Sequence, residues 1–142
     1  MEDSRYNELH NILKNTTSNK LICAVPGDQK TFNAQAVSNS KEKFRIIQNR
    51  KGHHNKDNLT YVLFHGTSEL MIRIDLNGQD HNGLKTPHVH IFDEDHQNGH
   101  KAIPLSDIEN YNGTEEIITS LSEFLKYNTF DISNNNITTS LV

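Results

Sequence analysis

Two histidines stand two residues apart in Thr86-Pro87-His88-Val89-His90-Ile91-Phe92. In a β-strand, side chains alternate between faces, so His88 and His90 share one face while Val89 and Ile91 take the other. Upstream, Met71-Ile72-Arg73-Ile74-Asp75-Leu76 alternates in the same way, with Ile72, Ile74 and Leu76 toward a core and Arg73 and Asp75 outward. If the two segments pair as a hairpin, Asp75 lies near His88 and Arg73 near His90, with cross-strand Cβ atoms roughly 4.5–5.5 Å apart. His81, in the polar loop between them, could fold back over the same patch. The expectation is a solvent-facing patch of Arg73, Asp75, His88, His90 and His81.

Three chemistries are open to such a patch. In the first, a pair of imidazoles titrating near neutral pH cleaves a phosphodiester without a metal: one takes a ribose 2′-hydroxyl proton and the other protonates the leaving oxygen. Arg73 would then stabilise the developing negative charge, and Asp75 would orient an imidazole. In the second, His88 and His90 with His81 or Asp75 hold Zn²⁺ or another divalent ion. A fixed cation at Arg73 counts against that reading. In the third, the histidines are hydrogen-bonded residues that close the hairpin and support an interface.

Charge is unevenly distributed. The chain carries a net charge of −4, which argues against a protein coated with nucleic acid. Yet six cations (Lys41, Lys43, Arg45, Arg50, Lys51 and Lys56) stand against Glu42 alone between positions 41 and 56. Seven carboxylates stand against Lys101 between Asp93 and Glu116. A split of this kind steers a polyanion to one end of a molecule, with Lys43, Arg45, Arg50 and Lys51 as the expected phosphate contacts. It is equally what two solvated loops of opposite sign look like. His65 offers at most support, His53 and His54 read as solvated, and the acidic loop carrying His96 and His100 could bind a cation loosely. The acidic loop around His96 lacks the EF-hand order, and there is no P-loop, G-x-G-x-x-G or G-x-S-x-G, so nucleotide cofactors and serine hydrolysis have no sequence support.

The elements that must position these residues follow from periodicity. A chain of 142 residues is one domain's worth of core, here over 1–127, with a polar and poorly ordered tail over 128–142. Tyr6, Leu9, Ile12 and Leu13 form an apolar stripe on a helix over 5–14, capped by Asp3 or Ser4. Strand-length segments lie near 20–25, 30–37, 43–49, 59–65, 70–76 and 88–93, with a short extended piece at 101–105. Thr114 followed by Glu115 and Glu116 starts a second helix, whose Ile117, Ile118, Leu121, Phe124 and Leu125 can lie on a sheet. The expected fold class is α+β: a meander-like antiparallel sheet of five to six strands with the N- and C-terminal helices on one face. No apolar run is long enough for a membrane span, no signal-peptide layout opens the chain, and the single Cys23 sits in an apolar run. A cytoplasmic protein is expected.

The spacing Arg73-x-Asp75-x-Asn77-Gly78-x-x-His81-Asn82-Gly83, followed by Thr86-Pro87-His88-x-His90-Ile91-Phe92, resembles an uncharacterised family of small proteins. Members occur in low-GC Gram-positive bacteria, their phages and mobile elements, and the resemblance covers about residues 59–105. It implies a mobile-element context and so two function classes, an RNA-cleaving effector or an inhibitor of a host defence system of the anti-CRISPR type. The reading carried forward is a protein acting on RNA or an RNA–protein complex, with His88 and His90 as acid and base. Under that reading no cofactor and no membrane partner are expected.

Overall fold

Alternating apolar and polar residues produce the central strands where periodicity places them. The computed structural model describes residues 1–52, 58–78 and 83–140. Helix α1 (Asp3–Asn11) is followed by β1 (Lys14–Thr16), β2 (Lys20–Cys23), β3 (Gln29–Ala36), β4 (Asn39–Asn49), β5 (Thr60–His65) and β6 (Glu69–Asp75). Then come β7 (His88–Ile91), β8 (Ile103–Pro104), α2 (Ile117–Tyr127) and β9 (Asn136–Thr139). Seven strands form one sheet in the order β1-β3-β4-β5-β6-β7-β8, with every neighbouring pair antiparallel. The α+β meander is therefore as expected, with one or two strands more.

The differences lie at the ends of the chain. Strand β2 is absent from the meander and pairs in parallel with β9, from Lys20↔Asn136 to Cys23↔Thr139. The expected loose tail is instead partly built in, since Phe130 is buried in the core and β9 supplies the partner of β2. The first helix ends at Asn11, short of the expected Lys14, which begins β1. The cap of α2 is Glu116, not Thr114: its carboxylate accepts from the N–H groups of Ile118 and Thr119, two of the donors a helix start leaves unpaired.

One sheet face carries Ile46, Tyr61, Leu63, Ile72, Ile74 and Val89, all fully buried. Helix α2 lies on this face through Leu121, Phe124 and Leu125; the Phe124 ring stacks on Tyr61 at 5.2 Å, and the Tyr61 hydroxyl pairs with Ser120 at 2.6 Å. Each such aliphatic or aromatic side chain contributes about 1.5–3 kcal/mol by leaving water. Cys23 is buried, and burial pushes its thiol pKa up, as suits an unreactive core cysteine. No helix among the described residues is long and apolar enough to cross a membrane.

Lys14 is fully buried, a position periodicity does not predict for an ammonium. Its Nζ donates to the carbonyls of His10 at 3.1 Å, Ile12 at 3.0 Å and Asn128 at 2.7 Å. These carbonyls terminate α1 and α2, so one side chain ties both negative helix ends together. The rings of Phe44 and Phe130 lie 5.1 and 5.6 Å from the same nitrogen. Burial pushes the pKa of Lys14 down to about 7.

Candidate functional site

Strands β6 and β7 pair as the hairpin reading requires, with Arg73 opposite His90 and Asp75 opposite His88. The row continues through Thr60 of β5, which stands opposite Asp75. One carboxylate therefore collects every neighbour. Asp75 Oδ1 accepts from the Thr60 hydroxyl at 2.8 Å and from Arg73 Nε at 3.0 Å. Asp75 Oδ2 lies 2.9 Å from His88 Nε2 and 3.5 Å from His90 Nε2. The two imidazoles meet edge to face, with centroids 5.1 Å apart. Thr60 was not singled out by the sequence, although its parity with Asp75 across the β5–β6 pair is the signal that would have found it.

The patch is not open to solvent as expected. His88 is 1% exposed, His90 7% and Asp75 5%; of the described members of the group only Arg73 reaches solvent, with half its side chain exposed. His90 is held by the turn Gln97–Gly99, whose Gly99 carbonyl pairs with its Nδ1 at 2.8 Å. An exposed acid–base pair bracketing an RNA phosphate is therefore not what this hairpin presents. His81 lies outside the described residues, as do His53, His54 and Lys56.

Burial alone would raise the Asp75 carboxyl, but the hydrogen bond with His90, the Arg73 guanidinium and the Thr60 hydroxyl hold it well below the usual carboxylate range. The hydrogen bond to Asp75 raises the His90 imidazole above its ordinary value, against burial, and the Gly99 carbonyl adds to that. The cluster is thus an ionised carboxylate ringed by donors in a nearly dry pocket.

Gly99 has a reason to be glycine. Its φ is +87°, and an added Cβ would stand 2.3 Å from the Phe92 ring. Gly99→Ala combines a strained backbone with a collision and should cost about 2 kcal/mol, while pulling the carbonyl away from His90. Thermal unfolding checks this: a midpoint lowered by several degrees is expected, and an unchanged one would show that the turn yields freely.

The same sheet face extends away from the cluster. Row by row it carries Gln29, Thr31, Asn33 and Gln35 on β3, then Lys43, Arg45, Ile47 and Asn49 on β4. Thr60, Val62 and Phe64 follow on β5, and Leu70, Arg73 and Asp75 on β6. Thr31, Asn33, Lys43 and Arg73 are exposed, and Arg45 and Phe64 are half-buried, with the guanidinium 4.9 Å from the Phe64 ring centre. Of the expected phosphate contacts, Lys43 and Arg45 stand on this face and Lys51 is exposed just beyond β4. Arg50 is turned elsewhere, donating to the Ala24 carbonyl at 2.9 Å. His65 does not join the cluster; it pairs with Glu42 and Glu69 at the far end of the sheet.

No curated protein and no solved structure matches the chain. A family model does, over residues 1–130, which span both helices and the entire seven-stranded sheet. On that match the chain belongs to the family of unknown function DUF6978.

Proposed function

We propose that this protein binds single-stranded RNA, alone or within an RNA–protein complex, on the sheet face turned away from α2. The carrying observation is the charge of that face. Among the described residues its solvent-reaching charges are the cations Lys43, Arg45 and Arg73, in a chain whose net charge is −4. Its one carboxylate among the described residues, Asp75, is buried and already satisfied by four neighbours. Lys43 and Arg45 make no ion pair with a carboxylate among the described residues, which leaves both cations available to phosphates. Amide and hydroxyl side chains at positions 29, 31, 33, 35 and 49 supply donors and acceptors for bases, and Phe64 with Arg45 supplies a flat surface for stacking.

The test is fluorescence anisotropy of a labelled single-stranded RNA oligonucleotide across a salt series. Single strands lose affinity with a slope of about −0.7 per neutralised phosphate, so three cations give a slope of about −2 in log K against log salt. Lys43→Ala and Arg45→Ala should each flatten it by about 0.7. A slope near zero, or both variants binding like the wild type, overturns the reading.

A further inference from the structure

The geometry assigns a divalent transition-metal site to Asp75, His88 and His90, an inference that does not rest on RNA binding. These three residues can each offer one ligand atom, and those atoms lie within 4.8 Å of one another. The closer separations are the informative ones. Zn²⁺ takes nitrogen and oxygen ligands at about 2.0–2.2 Å, so two ligand atoms on one ion stand roughly 3.3 Å apart at a tetrahedral angle and about 2.9 Å apart at a right angle. Asp75 Oδ2 stands 2.9 Å from His88 Nε2 and 3.5 Å from His90 Nε2. An ion can replace the protons now between these atoms without the strands moving apart.

The surroundings are those of a ligand set. The Gly99 carbonyl accepts from Nδ1 of His90, the tautomer that leaves Nε2 its lone pair for an ion. Thr60 and Arg73 both hold Oδ1 of Asp75, fixing the carboxylate plane and leaving Oδ2 toward the imidazoles. Arg73 therefore does not oppose the ion as its position in the sequence suggests: the guanidinium is on the far oxygen and half in solvent. Two imidazoles and one carboxylate, with no thiolate, suit Zn²⁺, Fe²⁺, Co²⁺ or Ni²⁺ better than the all-oxygen ions Ca²⁺ and Mg²⁺. Three protein ligands leave at least one coordination position for water or a small anion.

Isothermal titration of the chelator-treated full chain with Zn²⁺, and visible absorption on adding Co²⁺, test the assignment. The expected result is one ion per chain with micromolar or tighter affinity, and Co²⁺ bands of nitrogen–oxygen coordination. His90→Ala should weaken binding more than 100-fold, and Thr60→Val, which frees the carboxylate without touching the ion, roughly tenfold. Failure of the wild type to take up either ion overturns the site, as does unchanged affinity in His90→Ala. Should His90→Ala not fold, unchanged affinity in Thr60→Val overturns it as well.

Discussion

Replacing Asp75 by alanine should cost about 4 kcal/mol of folding stability, the upper range for a single buried partner. Four groups lose their acceptor at once: the Thr60 hydroxyl, Arg73 Nε and the ring nitrogens of His88 and His90. Arg73 can turn to water, since half its side chain is already there. The two imidazoles cannot, being 1% and 7% exposed, and each is left with a buried polar atom and no carboxylate. Domains of this size have about 5–15 kcal/mol in total, so the variant should stand near the edge of folding. Asp75→Asn keeps one acceptor oxygen and should lose about half as much. Urea denaturation in the presence of a chelator gives both values. A loss under about 1 kcal/mol for Asp75→Ala would mean that the carboxylate does not organise the hairpin.

Lys14→Met should cost about 3 kcal/mol, although methionine fills the space left by the lysine stem. Three backbone carbonyls point at the amine, and among the described residues only that of His10 has a further partner, the Thr129 hydroxyl. The carbonyls of Ile12 and Asn128 would be left facing an apolar sulfur, at about 1–3 kcal/mol each. The rings of Phe44 and Phe130 also lose their cation. Removing a charged group from the surface changes stability by a few tenths of this, so the magnitude separates the two situations. A change of 3 kcal/mol in a chain of this length moves the thermal midpoint by roughly 10 °C, well within calorimetric resolution. A midpoint within a degree or two of the wild type would contradict the role given to Lys14 as the tie between the ends of α1 and α2.

Much of the sheet is legible because strand periodicity is a two-residue signal, and residues 72–76 and 88–91 display it without interruption. That signal was enough to set Asp75 opposite His88 and Arg73 opposite His90. It could not report burial of the polar side of the hairpin. His90 is closed over by Gln97–Gly99, a short turn with no periodicity and with positive φ at Gln97, Asn98 and Gly99. Strands β1 and β9 were missed for a related reason: they are three and four residues long, and mostly polar. Their existence depends on partners distant in sequence, Lys14 with Ala36 and Lys20 with Asn136. Lys14 falls at the polar end of the helix expected over 5–14, because local sequence gives no sign of a set of three carbonyls of which one lies 114 residues away. The segment Lys41–Lys51 shows the limit of counting charges. Strand parity puts Lys43 and Arg45 on the open face, whereas Arg50, equally cationic, is spent on the Ala24 carbonyl.

The proposal that the sheet face away from α2 receives an RNA strand is tested most directly by amide chemical-shift mapping during titration with a short single-stranded RNA. The predicted result is a contiguous set of shifted amides on β3, β4, β5 and β6, centred on Thr31, Lys43, Arg45 and Phe64, with α2 silent. Shifts confined to α2 and the β2–β9 pair, or none at saturating RNA, would contradict it.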